Sequence, residues 1–147
     1  MKRIISILIP LLMGFSVMAQ DGLKSAAIFN GEIVDKEGFT ESLVSGEKLR
    51  SLSLNLFHSI RFSATEEQMQ AVSDIVLKDV ELASNKEVEM EGSKVIYLLS
   101  EIAHEAKDSE FLCMQSKKQK DGTWQVMIIY MKGQTTISSL KNKLAKK

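Results

Sequence analysis

The segment from residue 110 to 132 has the apolar and polar pattern of a β-hairpin. Two apolar runs, 111–114 and 124–131, are rich in β-branched and aromatic residues and flank a charged segment that ends in Asp121-Gly122. This arrangement predicts two antiparallel strands joined by a turn. The second run is apolar on both faces, so we predict that it lies in the middle of a sheet, with other elements covering both sides.

The run from Ser51 to Ser63 has the strictest alternation of apolar and polar residues in the chain. One parity is polar apart from Phe57, which predicts a strand with one buried and one largely wet face. The buried parity comprises Leu52, Leu54, Leu56, His58, Ile60 and Phe62. His58 is therefore expected on the buried side.

The best helical pattern runs from Thr65 to Ala83. Thr65 and Gln68 have the spacing of a capping box, and an apolar stripe follows at helical spacing. Weaker patterns predict a short helix over 20–35 and a final helix over 135–147. In the final helix the inward positions are Ile137, Leu140 and Leu144.

Three further strands are predicted at 39–44, 87–91 and 94–102. Gly92-Ser93 supplies a tight turn between the last two. Residues 95–106 also fit a helical stripe, but Val95-Ile96-Tyr97 favours a strand. We predict a polar connection over 103–109.

Together these elements predict an α+β fold in a single domain spanning 20–147. We expect an antiparallel β-sheet of about six strands, ending in a four-strand meander, with two or three helices packed over it.

Residues 1–19 have the pattern of a secretory signal peptide. A basic start, Lys2-Arg3, precedes an apolar span from Ile4 to Met18, and Val17 and Ala19 suit cleavage after Ala19. We expect a periplasmic or secreted protein. The span is shorter than a bilayer crossing usually needs, so no stable membrane anchor is expected after cleavage.

Charge and cysteine content narrow the functional classes. Of 19 basic residues, Lys2 and Arg3 leave with the signal, so 17 remain against 19 acidic residues, a net charge of about −2. This balance argues against a nucleic-acid partner, which needs a basic field. Cys113, the single cysteine, cannot form an internal disulfide.

Several segments resemble those of small exported proteins of Bacteroides-type bacteria that are classed as domains of unknown function. The segments are 22–24, 36–40, 45–49 and 126–133. The resemblance implies an exported single domain with no assigned activity and no catalytic residues to carry over.

Few residues could carry chemistry. His104 and Asp108 would lie one helical turn apart, but two ligands without a third do not make a metal site. The apolar neighbours of Cys113 favour a packing role over a nucleophile, and the parity of His58 favours a core position. We therefore assign no catalytic, cofactor-binding or metal-binding residue.

Two sets of charged residues are expected at the edges of the sheet. Alternating glutamates would form the wet face of an edge strand, and a lysine group would keep the hairpin end soluble or bind an acidic partner. These sets are Glu87, Glu89 and Glu91, and Lys117, Lys118 and Lys120.

The favoured function is a non-enzymatic binding domain that acts after export and needs no cofactor. Its partner would be an envelope protein or, through an exposed strand edge, a second copy of the chain. One alternative is a small hydrolase that uses His58 or His104 with Cys113 or a carboxylate. The other is a carrier of small apolar ligands.

Overall fold

A computed structural model describes residues 23–104 and 108–145 as one sheet with helices on both faces. The predicted signal peptide lies outside these residues. The described elements, in chain order, are α1 (Ala26–Phe29), a 3-10 helix (Lys36–Gly38), β1 (Thr40–Ser45), a second 3-10 helix (Gly46–Leu52), β2 (Leu54–Ala64), α2 (Glu66–Asp79), β3 (Lys86–Glu91), β4 (Lys94–His104), β5 (Ser109–Lys118), β6 (Trp124–Gly133) and α3 (Ile137–Ala145).

The six described strands form an antiparallel sheet in the order β1-β2-β6-β5-β4-β3. Strands β3 to β6 are the predicted meander, and α2 carries the chain from β2 to the far edge. The apolar strand β6 lies between β2 and β5, which confirms its predicted central position. The α+β fold class is likewise confirmed.

Helices α1 and α2 cover the first face of the sheet. The largest side chains buried there are Phe29, Phe62, Trp124 and Tyr130. Aliphatic residues of α2 complete this core, as the predicted stripe requires. They include Met69, Val72 and Val76.

The second face is covered only in part. The Gly46–Leu52 helix and α3 pack over one end of it, where a smaller apolar cluster is buried. This cluster comprises Leu49, Leu54, Leu99, Phe111, Cys113, Ile129, Met131, Ile137 and Leu140. The rest of the second face carries exposed polar side chains, among them Arg61, Gln115 and Lys117.

Helix α2 begins as predicted but ends earlier. The Thr65 hydroxyl accepts from the Gln68 backbone N–H at 3.1 Å, and the Gln68 side chain accepts from the Thr65 N–H at 2.9 Å. The helix ends at Asp79 rather than Ala83. Just beyond the helix end, the Val80 carbonyl accepts from the Ala83 N–H at 3.0 Å and from Lys86 Nζ at 2.8 Å.

The predicted strand over 51–63 is wrong at its start, because residues up to Leu52 belong to a 3-10 helix. Ser53 has a left-handed backbone (φ 59°), and the register of β2 against β6 shifts between Leu54 and Leu56. Since the shift breaks the alternation, Leu54 joins the second-face cluster whereas Ile60 stays on the first face.

The predicted polar connection over 103–109 is also wrong at both ends. Strand β4 continues to His104, and β5 begins at Ser109, which pairs with it. Residues 105–107 lie outside the described part. No helix forms over 95–104, so the strand interpretation of this segment is confirmed.

The two terminal helices are shorter than predicted. Of the helix expected over 20–35, Ala26–Phe29 is α-helical, and residues 20–22 are not described. The final helix spans Ile137–Ala145 rather than 135–147. Within the described ranges, no helix is both long and apolar enough to cross a membrane.

Candidate functional site

His58 and Glu41 form a buried polar pair between β1 and β2. His58 is 0% exposed, and its Nε2 lies 2.6 Å from Glu41 Oε2, whose side chain is 22% exposed. The two residues are diagonal neighbours, since Glu41 lies opposite Ile60 and His58 opposite Leu43. Both side chains therefore point to the first face, as predicted for His58 from its parity.

The hydrogen bond of this pair runs from His58 to Glu41. The hydrogen bond from His58 lowers the pKa of Glu41 despite the opposing effect of burial. Because a carboxylate only accepts, Nε2 of His58 carries the proton in this contact. On the other side of the ring, Nδ1 has no hydrogen-bond partner among the described residues, and Phe29 packs at 4.7 Å between ring centroids.

A second buried carboxylate contact lies in the adjacent part of the first face. Tyr130 lies directly opposite His58 in β6, and its hydroxyl donates to Glu110 Oε1 at 2.6 Å. Each of these two buried polar rings thus has a carboxylate acceptor, which offsets part of the cost of burial. These two contacts fix the positions of the His58 and Tyr130 side chains within the core.

Cys113 is separated from His58 by the sheet. The cysteine belongs to the second-face cluster and is 2% exposed, whereas His58 is on the first face. Burial raises the pKa of the Cys113 thiol to about 12, so the nucleophilic thiolate is disfavoured. The structure therefore does not bring together the pair that a His58 and Cys113 hydrolase requires.

The other sequence candidates are placed only in part. His104 ends β4, and its side chain lies outside what the structure describes. Asp108 accepts a hydrogen bond from Asn55 at 3.0 Å. The described residues contain no group of three or more His, Cys, Asp or Glu side chains that could hold a metal ion.

Glu66 organises a polar cluster that sequence reasoning missed. Its carboxylate accepts from Trp124 Nε1 at 3.0 Å and pairs with Lys94 at 2.7 Å and, more distantly, with Lys118 at 3.9 Å. These contacts lower the pKa of Glu66. Its position directly after the Thr65 cap indicated a helix start, but the partners come from distant strands.

An open groove crosses the exposed part of the second face, over β2, β6 and β5. It has a volume of about 260 Å³. We call it the sheet groove, and its lining residues are Arg61, Gln115, Ser116, Lys117, Gln119, Gln125, Val126 and Met127. The predicted lysine group is thereby divided, since Lys117 faces this groove while Lys118 lies near the Trp124 ring, at 6.0 Å.

A second groove of about 540 Å³ lies beside the Gly46–Leu52 helix. Its lining includes Glu47 and Arg50, which form an exposed ion pair at 3.0 Å. Exposed pairs of this kind contribute little stability. Neither groove contains the His58 and Glu41 pair.

The two edge strands differ in how they are protected. Strand β3 carries alternating charges, as predicted, and its register shifts between Glu89 and Met90. Strand β1 has one charged residue, Glu41, which points inward to His58, and it pairs with β2 in regular register. Among the described strands only β2 adjoins it, which leaves β1 as the less protected edge.

These features define a class of protein: a small α+β domain in which buried His58 and Tyr130 contact carboxylates and whose sheet is open on part of one face. The chain belongs to a family of unknown function, DUF6108, whose model matches residues 12–144. No curated protein and no solved structure matches it.

Proposed function

We propose that this protein is a non-enzymatic binding domain that acts after export, in the periplasm or outside the cell. Its partner is another protein of the cell envelope or a second copy of the chain. The proposal extends the family assignment, which gives no activity.

The observation that carries the proposal is the exposed part of the second face. Its polar side chains lie on three adjacent inner strands, β2, β6 and β5, which form a hydrogen-bonded platform. By contrast, the candidate catalytic groups that the structure describes take part in core contacts. Glu41 binds His58, and Cys113 is buried among apolar residues on the other side of the sheet. Among the described residues, a polar surface that lies apart from these candidate groups favours recognition over catalysis.

Fractionation of the native host tests the export part of this proposal. We expect the protein in the periplasm or the medium, shortened to the chain that begins at Gln20. A full-length chain retained in the cytoplasm would contradict it. Crosslinking in intact cells, followed by mass spectrometry, then tests whether the protein contacts an envelope protein or itself.

Self-association would use the β1 edge. If two copies pair antiparallel through β1, the centres of the two strands meet near Ser42, an exposed residue. The substitution Ser42→Lys would then place like charges opposite each other and weaken the dimer. We expect light scattering to show a lower dimer fraction for this variant, and no change for Ser138→Lys at an exposed position of α3. A monomeric wild-type protein would exclude this mode.

A further inference from the structure

The sheet groove combines positive charge with the absence of any carboxylate in its lining. Arg61 and Lys117 are both exposed, whereas the remaining lining side chains are uncharged. Arg61 Nη2 donates to Met127 Sδ at 3.6 Å, a weak acceptor. The predicted mature chain is slightly acidic, so the sheet groove has the opposite charge to the chain as a whole.

Strand pairing fixes the separation of the two cations. Arg61 lies opposite Met127 and Met127 opposite Gln115, while Lys117 lies opposite Gln125 on the next row of the same face. The two cationic residues are thus two strands and two positions apart, roughly 12 Å between Cα atoms. In an extended chain, residues four positions apart on one side are separated by a similar distance, about 13 Å.

The uncharged lining favours a polypeptide over a sugar. None of the lining residues is aromatic, so the groove offers no ring on which a sugar could stack. Gln115, Gln119 and Gln125 can each donate and accept a hydrogen bond, as a peptide backbone requires. Met127 adds an adaptable apolar contact.

We propose that the sheet groove binds an extended acidic segment of a partner protein, with Arg61 and Lys117 each contacting a carboxylate. This inference rests on the proposed binding function and names its surface and the charge of its partner.

Fluorescence anisotropy with the purified protein tests the proposal. The probe is a labelled 13-residue peptide that alternates Glu and Ser, compared with otherwise identical peptides that carry Gln or Lys in place of Glu. We expect the Glu peptide to bind best and its affinity to fall with added salt. The double variant R61Q/K117Q should bind it about three- to tenfold more weakly, as expected for the loss of two exposed ion pairs.

The double variant K24Q/K78Q is the matched control, because it removes the same charge from exposed positions outside the groove. It should keep wild-type affinity. Equal losses in both double variants would reveal non-specific attraction and overturn the proposal, as would equal binding of the Gln peptide. Binding of heparin that is lost in R61Q/K117Q, without binding of the Glu peptide, would assign the groove to an anionic sugar instead.

The crosslinking experiment distinguishes failure of the groove assignment from failure of the proposed binding function. If wild type and R61Q/K117Q capture the same partner equally, the binding function stands and the groove assignment fails. If neither the wild-type protein nor any variant contacts a partner, the proposed function itself fails.

Discussion

His58 shows how a titratable side chain can be buried in contact with a carboxylate. Its Nε2 contacts Glu41, its ring packs on Phe29, and the sheet separates it from Cys113. Glu41 lies on the edge strand β1, so its contact with His58 holds β1 against the core. The Glu41 carboxylate therefore points to the first face of the sheet and does not extend from its edge. The structural role of this pair lies in strand placement.

We expect Glu41→Gln to reduce stability at neutral pH and less so in acid. The pKa of Glu41 is lowered in the folded protein by His58, so its ionised form stabilises the fold above its ordinary pKa of about 4.5. That contribution is lost as the pH falls through the folded pKa. The charged hydrogen bond should contribute about 1 to 2 kcal/mol near pH 7, reduced because the site is partly exposed.

Urea unfolding between about pH 5.5 and 3 checks this prediction. The difference between wild type and Glu41→Gln should narrow as the pH falls. Glu32→Gln, an exposed position, should show no such trend. A difference that stays constant over this range would contradict the assigned cause.

At the scale of elements, β2 and β6 approach each other closely where β6 ends. Gly133 ends β6 against the turn at Ser53, and a Cβ there would clash with the Ser53 carbonyl oxygen and lie 2.5 Å from Leu54 Cα. The Gln134 N–H donates to the same carbonyl at 2.9 Å. A side chain at Gly133 would push these two strands apart.

The substitution Gly133→Ala should therefore lower the free energy of unfolding by about 1 to 3 kcal/mol, since the clash involves backbone atoms that cannot swing aside. Gly38→Ala is the matched control, because a Cβ added at Gly38 would have no neighbouring atom within 4 Å. It should be neutral or slightly stabilising. Urea unfolding of both variants measures the difference, and equal stabilities would argue against the close approach.

Local patterns predicted most elements, and long-range contacts account for the errors. The Thr65 cap and the apolar run of β6 depend on neighbouring residues, so both were predictable. The start of β2 was not predictable from neighbouring residues. The left-handed backbone of Ser53 and the register shift after Leu54 accompany the close contact with Gly133, which is distant in sequence. The same limit applies to the sheet groove: Arg61 and Lys117 share a face only through the pairing of three strands.

At the scale of the whole molecule, one sheet supports two separate cores. Trp124 is buried on the first face and Cys113 on the second, and their strands are directly bonded neighbours. A domain of this size with a shared sheet should unfold as one unit.

Two reporters on opposite faces test this cooperativity. Trp124 fluorescence and the reactivity of Cys113 toward a thiol reagent should change at the same urea concentration, because both cores pack on the same sheet. Reaction of Cys113 in the folded protein should be slow at pH 7 to 8, since burial raises its pKa to about 12. Labelling well before the fluorescence change would show that the second face opens independently.

The strand order has a consequence for how the chain matures. The hairpin of β1 and β2 reaches the rest of the sheet only through β6, the last of the described strands to leave the ribosome. Until it does, β2 lacks its inner neighbour and the platform of the sheet groove does not exist. Under the proposed export, late closure of this kind would leave the nascent chain without its complete sheet, and an unfolded chain can pass through a secretion channel.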